Sequence, residues 1–129
     1  MQLTNTNYVD EAEEVVKKLE KDKWGNPILT TSKIRNILSM VSEIYNDVIH
    51  CSDEKLGDDV VERLQYLRMR FAYEAGRENG REKSVRDLME KAKITEQIKI
   101  IGRDKEKCIL FCKYMEAIVA YHKFYGGRD

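Results

Sequence analysis

An all-α fold, a compact bundle of about five helices with the C-terminal helix central, is what this sequence predicts. Three observations carry the prediction. Apolar residues recur at intervals of three and four along nearly the whole chain, and no stretch alternates with the period of two that a strand requires. The breaks between these stretches are short and carry Gly, Pro, Asn or Asp. The 129 residues hold 42% hydrophobic and 36% charged side chains, which supports one core in one domain and is too apolar for a disordered chain.

The first helix is expected from about Val9 to Asp22, with Tyr8, Ala12, Val15, Val16 and Leu19 on one face, and Trp24-Gly25-Asn26-Pro27 ends it. Thr30, Thr31 and Ser32 offer N-caps for a second helix from about Ser32 to His50. Its stripe of Ile34, Ile37, Leu38, Val41, Ile44, Tyr45, Val48 and Ile49 fits an arc of roughly 140°. Lys33 lies near one edge of that arc and Arg35 beyond the other. An acidic connector leads to the third helix, from Asp58 or Asp59 to about Arg77, whose first acids suit the positive helix end. Val60, Val61, Leu64, Leu67, Phe71 and Ala75 form its core stripe. Asn79-Gly80 marks the next break, and the fourth helix begins between Glu82 and Val85. It carries two stripes rotated from one another, one through Val85, Leu88, Met89 and Ala92, the other through Ile94, Ile98 and Ile101. The helix therefore kinks, or ends near Ala92 and restarts, before Gly102 closes it. The fifth, from about Asp104 to Tyr125, is apolar around most of its circumference, as at the centre of a bundle. One polar strip remains on it, Lys113, Glu116 and Lys123, and Gly126-Gly127 closes it.

Charge balances overall, 23 basic against 23 acidic, but residues 1–62 are net −6 and residues 63–129 net +6. The split suits a basic face for phosphate and an acidic edge for a neighbour, and equally a well-solvated helical surface. No apolar run approaches the roughly 20 residues of a membrane span, and Met1 to Asp10 lacks a signal-peptide core. A soluble cytoplasmic protein is expected. Cys51, Cys108 and Cys112 are accordingly expected to be reduced and buried. Cys108, Cys112 and His122 point the same way, but His122 lies roughly 15 Å beyond Cys112 along a helix, too far for one coordination sphere. No metal, cofactor or catalytic constellation is expected, and His122 reads as a satisfied core or groove histidine.

The most informative feature is a second stripe on the third helix. Arg63, Tyr66, Arg70, Tyr73 and Arg77 fall within roughly 80° along about four turns. Guanidinium groups pair bidentately with phosphate, and tyrosine rings stack on bases or on guanidinium planes. The same mixture suits a protein–protein hot spot. A third reading is that Tyr66 and Tyr73 pack against another helix while the arginines snorkel outward.

Three strings then carry a resemblance. They are Leu29-Thr30-Thr31-Ser32-Lys33-Ile34-Arg35, Arg70-Phe71-Ala72-Tyr73-Glu74-Ala75-Gly76-Arg77, and Phe111-Cys112-Lys113-Tyr114-Met115-Glu116-Ala117-Ile118-Val119-Ala120-Tyr121-His122-Lys123-Phe124-Tyr125-Gly126-Gly127. Over about residues 28–127 the chain resembles the small α-helical subunit of type III-A CRISPR effector complexes, the Csm complex. The resemblance implies a non-catalytic subunit. It implies several copies stacked beside the repeat-family backbone subunits that hold the guide RNA, along the guide–target duplex. Basic residues would contact the RNA backbone without reading sequence, since base pairing carries specificity in such systems. Guide RNA, target RNA, other subunits and further copies of the chain are thus the expected partners. Lys33, Arg35, Arg70, Arg77, Lys113 and Lys123 lie in the three strings, and Arg63 joins them by its angle on the third helix. Arg35 alternatively pairs with an acid such as Asp47 or Glu43 of a neighbour. The competing class is a self-assembling scaffold whose basic strips bind acidic proteins, and a weaker third is a small helical enzyme. The 78–83 loop could serve as the hinge of a helix-exchanged dimer.

Overall fold

The computed structural model describes residues 2–129. Its elements are α1 (Tyr8–Lys18), a 3-10 turn (Thr31–Ile34), α2 (Arg35–Ile49), α3 (Asp58–Gly76), α4 (Ser84–Ala92), α5 (Ile94–Ile101) and α6 (Lys105–Phe124). The chain is all-α, with two isolated β-bridges, Lys21 to Pro27 and Lys55 to Asp104, tying loops together. α6 packs against α1, α2 and α5, while α3 packs against α2, α4 and α5. The central place of α6 follows from its residues: Cys108, Phe111, Cys112, Tyr114, Met115, Ile118 and His122 are all buried.

Boundaries differ from the sequence expectation where loops supply better partners. α1 stops at Lys18 and not at Asp22. Leu19 turns extended and drops into the core, and the Asp22 carboxylate accepts the Trp24 and Asn26 amides at 2.9 and 3.0 Å. That side chain holds a tight turn which competes with another helical turn. The second helix opens with the 3-10 turn, and its expected caps go elsewhere. Thr30 and Ser32 hydroxyls bond each other at 3.2 Å, and the Thr31 amide donates to the Arg128 carbonyl at 3.1 Å. α6 begins as expected, with the Asp104 carboxylate accepting from the Lys107 amide at 3.1 Å. It ends in a Schellman turn: Gly126 donates to Lys123 and Gly127 to His122, with Gly126 at φ +91°.

The fourth predicted helix ends near Ala92 and restarts, so the bundle has six helices among the described residues. Lys93 sits in the left-handed region at φ +55°. This one residue rotates the apolar stripe of α5 away from that of α4, and Leu88, Ala92, Ile94 and Ile98 are all buried. The break frees the Ala92 carbonyl from continued helical pairing. The hydroxyl of Tyr114, itself fully buried on α6, donates to that carbonyl at 3.1 Å. Burial, with the Glu11 carboxylate adding to it, pushes the Tyr114 phenol up, so it stays a donor at any physiological pH.

The connector between α2 and α3 is pinned at both ends of its acidic run. Arg103 donates to the Leu56 carbonyl at 3.1 Å and pairs with Asp58 at 2.6 Å. Lys105 reaches the Cys51 carbonyl. Cys51 is exposed, against the expectation of burial, because α2 ends two residues earlier and the chain turns outward. Cys108 and Cys112 are buried as expected. Their mutual hydrogen bond and burial push the Cys112 thiol far up, which keeps it protonated and unreactive.

Tyr114→Phe leaves the Ala92 carbonyl buried without a donor and is expected to cost about 1–3 kcal/mol, read from urea unfolding. Brief treatment of the native chain with a thiol reagent is expected to modify Cys51 alone; mass mapping should find Cys108 and Cys112 labelled only after denaturation.

Candidate functional site

The seven basic residues singled out in the sequence fall into separate settings. Arg63, Arg70 and Arg77 lie on α3, as the helical period required. Each is already paired with an acid. Arg63 meets Asp47 of α2 at 2.7 Å, so Asp47 already serves an arginine of its own chain. Arg70 and Arg77 both reach Glu74, at 3.1 and 3.3 Å. Their guanidinium carbons lie 4.9 and 5.9 Å from the centre of the Tyr73 ring. Glu74 is 11% exposed, so two guanidinium groups and one ring surround a nearly buried carboxylate.

The tyrosines of this stripe point outward. Tyr66 and Tyr73 are 51% and 55% exposed, and Met69 lies between them at 55%. This corrects the reading in which the rings pack against another helix and the arginines snorkel. The core stripe of α3 already fills the space against α2, α4 and α5, so the second stripe has no helix left to meet. The result is an open aromatic face flanked by partly neutralised guanidinium groups.

Lys33 adjoins Arg77 across a polar crevice that Asn36, Glu74 and Glu78 also line. Its ammonium donates to Glu78 at 2.8 Å and to the Ser84 hydroxyl at 3.3 Å. Glu78 does more. Its carboxylate accepts the Ser84 hydroxyl at 2.7 Å and the Val85 amide at 2.8 Å, which caps α4 from six or seven residues upstream. Burial pushes the Glu78 carboxyl up, but the bonds from Lys33, Ser84 and Val85, with the Lys33 charge, outweigh it. The net pKa lies below the ordinary carboxylate value.

Arg35 and Lys123 meet in another groove, between α2 and the end of α6, of about 340 Å³. Thr31, Ser39, Ser42 and Asp129 also line it, with His122 at its base. His122 is 3% exposed, and its Nε2–H donates to the Leu29 carbonyl at 2.6 Å, as a satisfied core histidine does. Lys123 lies 3.7 Å from Asp129. Arg35 is exposed and pairs with no acid among the described residues. Lys113 is half-buried on the polar strip of α6, roughly 80° around the helix from Lys123, and lines neither crevice.

Glu74, Glu78 and Asp129 had no signal in the sequence reading. A cap donated from six residues before a helix follows no local motif, and Asp129 reaches the groove only because the Schellman turn folds the tail back. Among the described residues no cluster of three or more His, Cys, Asp or Glu side chains is placed to hold a metal ion. No described helix is long and apolar enough to cross a membrane.

Fold and site together define a small all-α protein whose chemistry lies on open charged and aromatic faces. Comparison with known proteins makes the assignment specific. A family model described as Csm2 Type III-A matches residues 2–128. A Streptococcus thermophilus protein, CRISPR system Cms protein Csm2, is 50% identical over 127 residues, covering 98% of each chain. Proteins of the same description from Enterococcus italicus and Mycobacterium tuberculosis are each 34% identical, over 99% and 100% of this chain and 94% and 99% of their own. The chain belongs to the Csm2 family of type III-A CRISPR systems.

Because the folded pKa of Glu78 is depressed, its stabilisation is present above the unfolded carboxylate pKa and lost as pH falls through the folded value. Glu78→Gln is expected to cost about 1–3 kcal/mol at neutral pH. The gap between variant and parent should shrink below pH about 4 when unfolding is followed across pH.

Proposed function

We propose that this protein is a non-catalytic small subunit of an RNA-guided type III-A effector complex. In this reading, copies stack along the guide–target duplex beside the repeat-family backbone subunits and hold the RNA backbone without reading its sequence. Membership of the Csm2 family supports the setting. The observation that carries RNA contact is the open face of α3, where exposed Tyr66 and Tyr73 stand beside Arg70 and Arg77. Exposed rings accept bases or sugars, and guanidinium groups shared with one carboxylate turn toward phosphate when a strand arrives. Arg35 and Lys113, which make no ion pair among the described residues, and Lys33, Arg63 and Lys123 extend the basic surface. A single copy offers few phosphate contacts, so stacked copies supply most of the affinity through avidity. The cytoplasm, where the RNA partners are made, is the setting this function requires.

A scaffold that uses the same faces for acidic proteins is the second reading. The hot-spot composition of the α3 face, Tyr66, Met69, Tyr73 and Arg70, favours it. Salt separates the two. Replacing Arg70 and Arg77 together by Ala is expected to weaken RNA retention by the assembled complex severalfold and to flatten its log–log salt dependence, with helicity by circular dichroism unchanged. RNA retention identical to the parent at every salt concentration would favour the scaffold.

A further inference from the structure

We propose that the groove between α2 and the end of α6 is a seat for one phosphate group, and that Asp129 stands in it as a built-in competing carboxylate. The donors come from three parts of the chain. Arg35, Ser39 and Ser42 follow at i, i+4 and i+7 and so share one side of α2. Thr31 comes from the 3-10 turn and Lys123 from the last turn of α6. Two cations and three hydroxyls around an open groove are the donor set that a phosphate monoester or diester takes up. Among the described residues, Asp129 is the only acid lining this groove.

The placement of Asp129 is built and not accidental. The Gly127 amide donates to the His122 carbonyl at 2.7 Å, and the Thr31 amide donates to the Arg128 carbonyl at 3.1 Å. Gly127 lies so close to His122 that an added Cβ would sit 2.1 Å from the imidazole. The tail is therefore held across the base of the groove on both sides of residue 128. That brings an Asp129 carboxylate oxygen 3.4 Å from the Thr31 hydroxyl and 3.7 Å from the Lys123 ammonium. Both contacts are loose, and the Asp129 side chain is 76% exposed. Glu74 and Glu78 in the other crevice are 11% and 6% exposed and bound at 2.7–3.3 Å, so they stay when an anion arrives. Of the acids lining these two crevices, Asp129 is the one whose carboxylate an incoming phosphate displaces at low cost.

The identity of the natural ligand, an RNA phosphodiester, rests on the function proposed above; the seat itself rests on the groove. The test uses the purified full chain, isotope-labelled, titrated with inorganic phosphate and followed by the NMR signals of the Arg35 side chain and the Thr31 amide. Fluorescence anisotropy with a single-stranded RNA oligomer runs in parallel. Phosphate is expected to move both signals. Since an exposed ion pair is weak, Asp129→Asn should tighten phosphate binding by about two- to fivefold, while Arg35→Ala and Lys123→Ala each weaken it. No movement of the Arg35 signal, or binding unchanged or weakened by Asp129→Asn, overturns the proposal. RNA binding that ignores Arg35→Ala, Lys123→Ala and Asp129→Asn also overturns it and leaves the RNA function standing. Phosphate binding with the expected variant pattern and no RNA binding upholds the seat and removes RNA as its ligand.

Discussion

The hydrogen bond from the Tyr114 hydroxyl to the Ala92 carbonyl is the constraint on which the bundle depends. A helix that ends inside a core leaves carbonyls unpaired, and each such group is costly unless a donor reaches it. The central helix α6 supplies that donor from a side chain that also fills the core. The break then lets α4 and α5 present differently rotated apolar faces, so that α4 meets α1 and α3 while α5 meets α3 and α6. A straight helix from Ser84 to Ile101 would bury one of its stripes and leave the other in water. Lys93 absorbs the turn at φ +55°, a conformation disfavoured for a residue with a side chain, and the packing on both sides maintains it.

Electrostatics divides the basic residues into committed and available ones. Lys33 and Glu78 fasten the 3-10 turn to the start of α4, and through Ser84 and Val85 they hold the loop that precedes it. Arg103 and Lys105 fasten the acidic connector in the same manner. Part of the acidic charge in the first half and of the basic charge in the second is thus consumed by folding. What remains for partners is the aromatic α3 face, with guanidinium groups shared around Glu74, and the groove of Arg35 and Lys123.

This division bears on how a surface of a type III-A CRISPR protein can work. Ion pairs already formed within the chain lower the affinity of a single copy for any polyanion, because an incoming phosphate must compete with a carboxylate. In the function proposed above, weak contact per copy with many copies in register gives a grip that depends on assembly. A small subunit with zero net charge, open aromatic rings and internally balanced arginines fits that regime better than a strongly basic free RNA binder does.

The sequence by itself determined the helices, the core stripes and the family. The 3.6-residue period located α3 to within a residue, the two rotated stripes of residues 85–101 called for a kink or a break, which falls at Lys93, and the paired glycines announced the turn that closes α6. These are local signals, since periodicity and cap chemistry act over one or two turns. Three strings of residues were enough to name the family, because the last is long and specific and together they span residues 29–127. Only the tertiary structure decided which side of the Arg–Tyr stripe faces water, and it turned the tyrosines outward because the core stripe already occupied every neighbouring helix. It also decided which cations are spoken for. Lys33 with Glu78, Arg63 with Asp47 and Lys123 with Asp129 are pairs made across loops or between helices. A pairing between residues 16 or 45 apart depends on how helices pack, and no spacing rule along the chain encodes it.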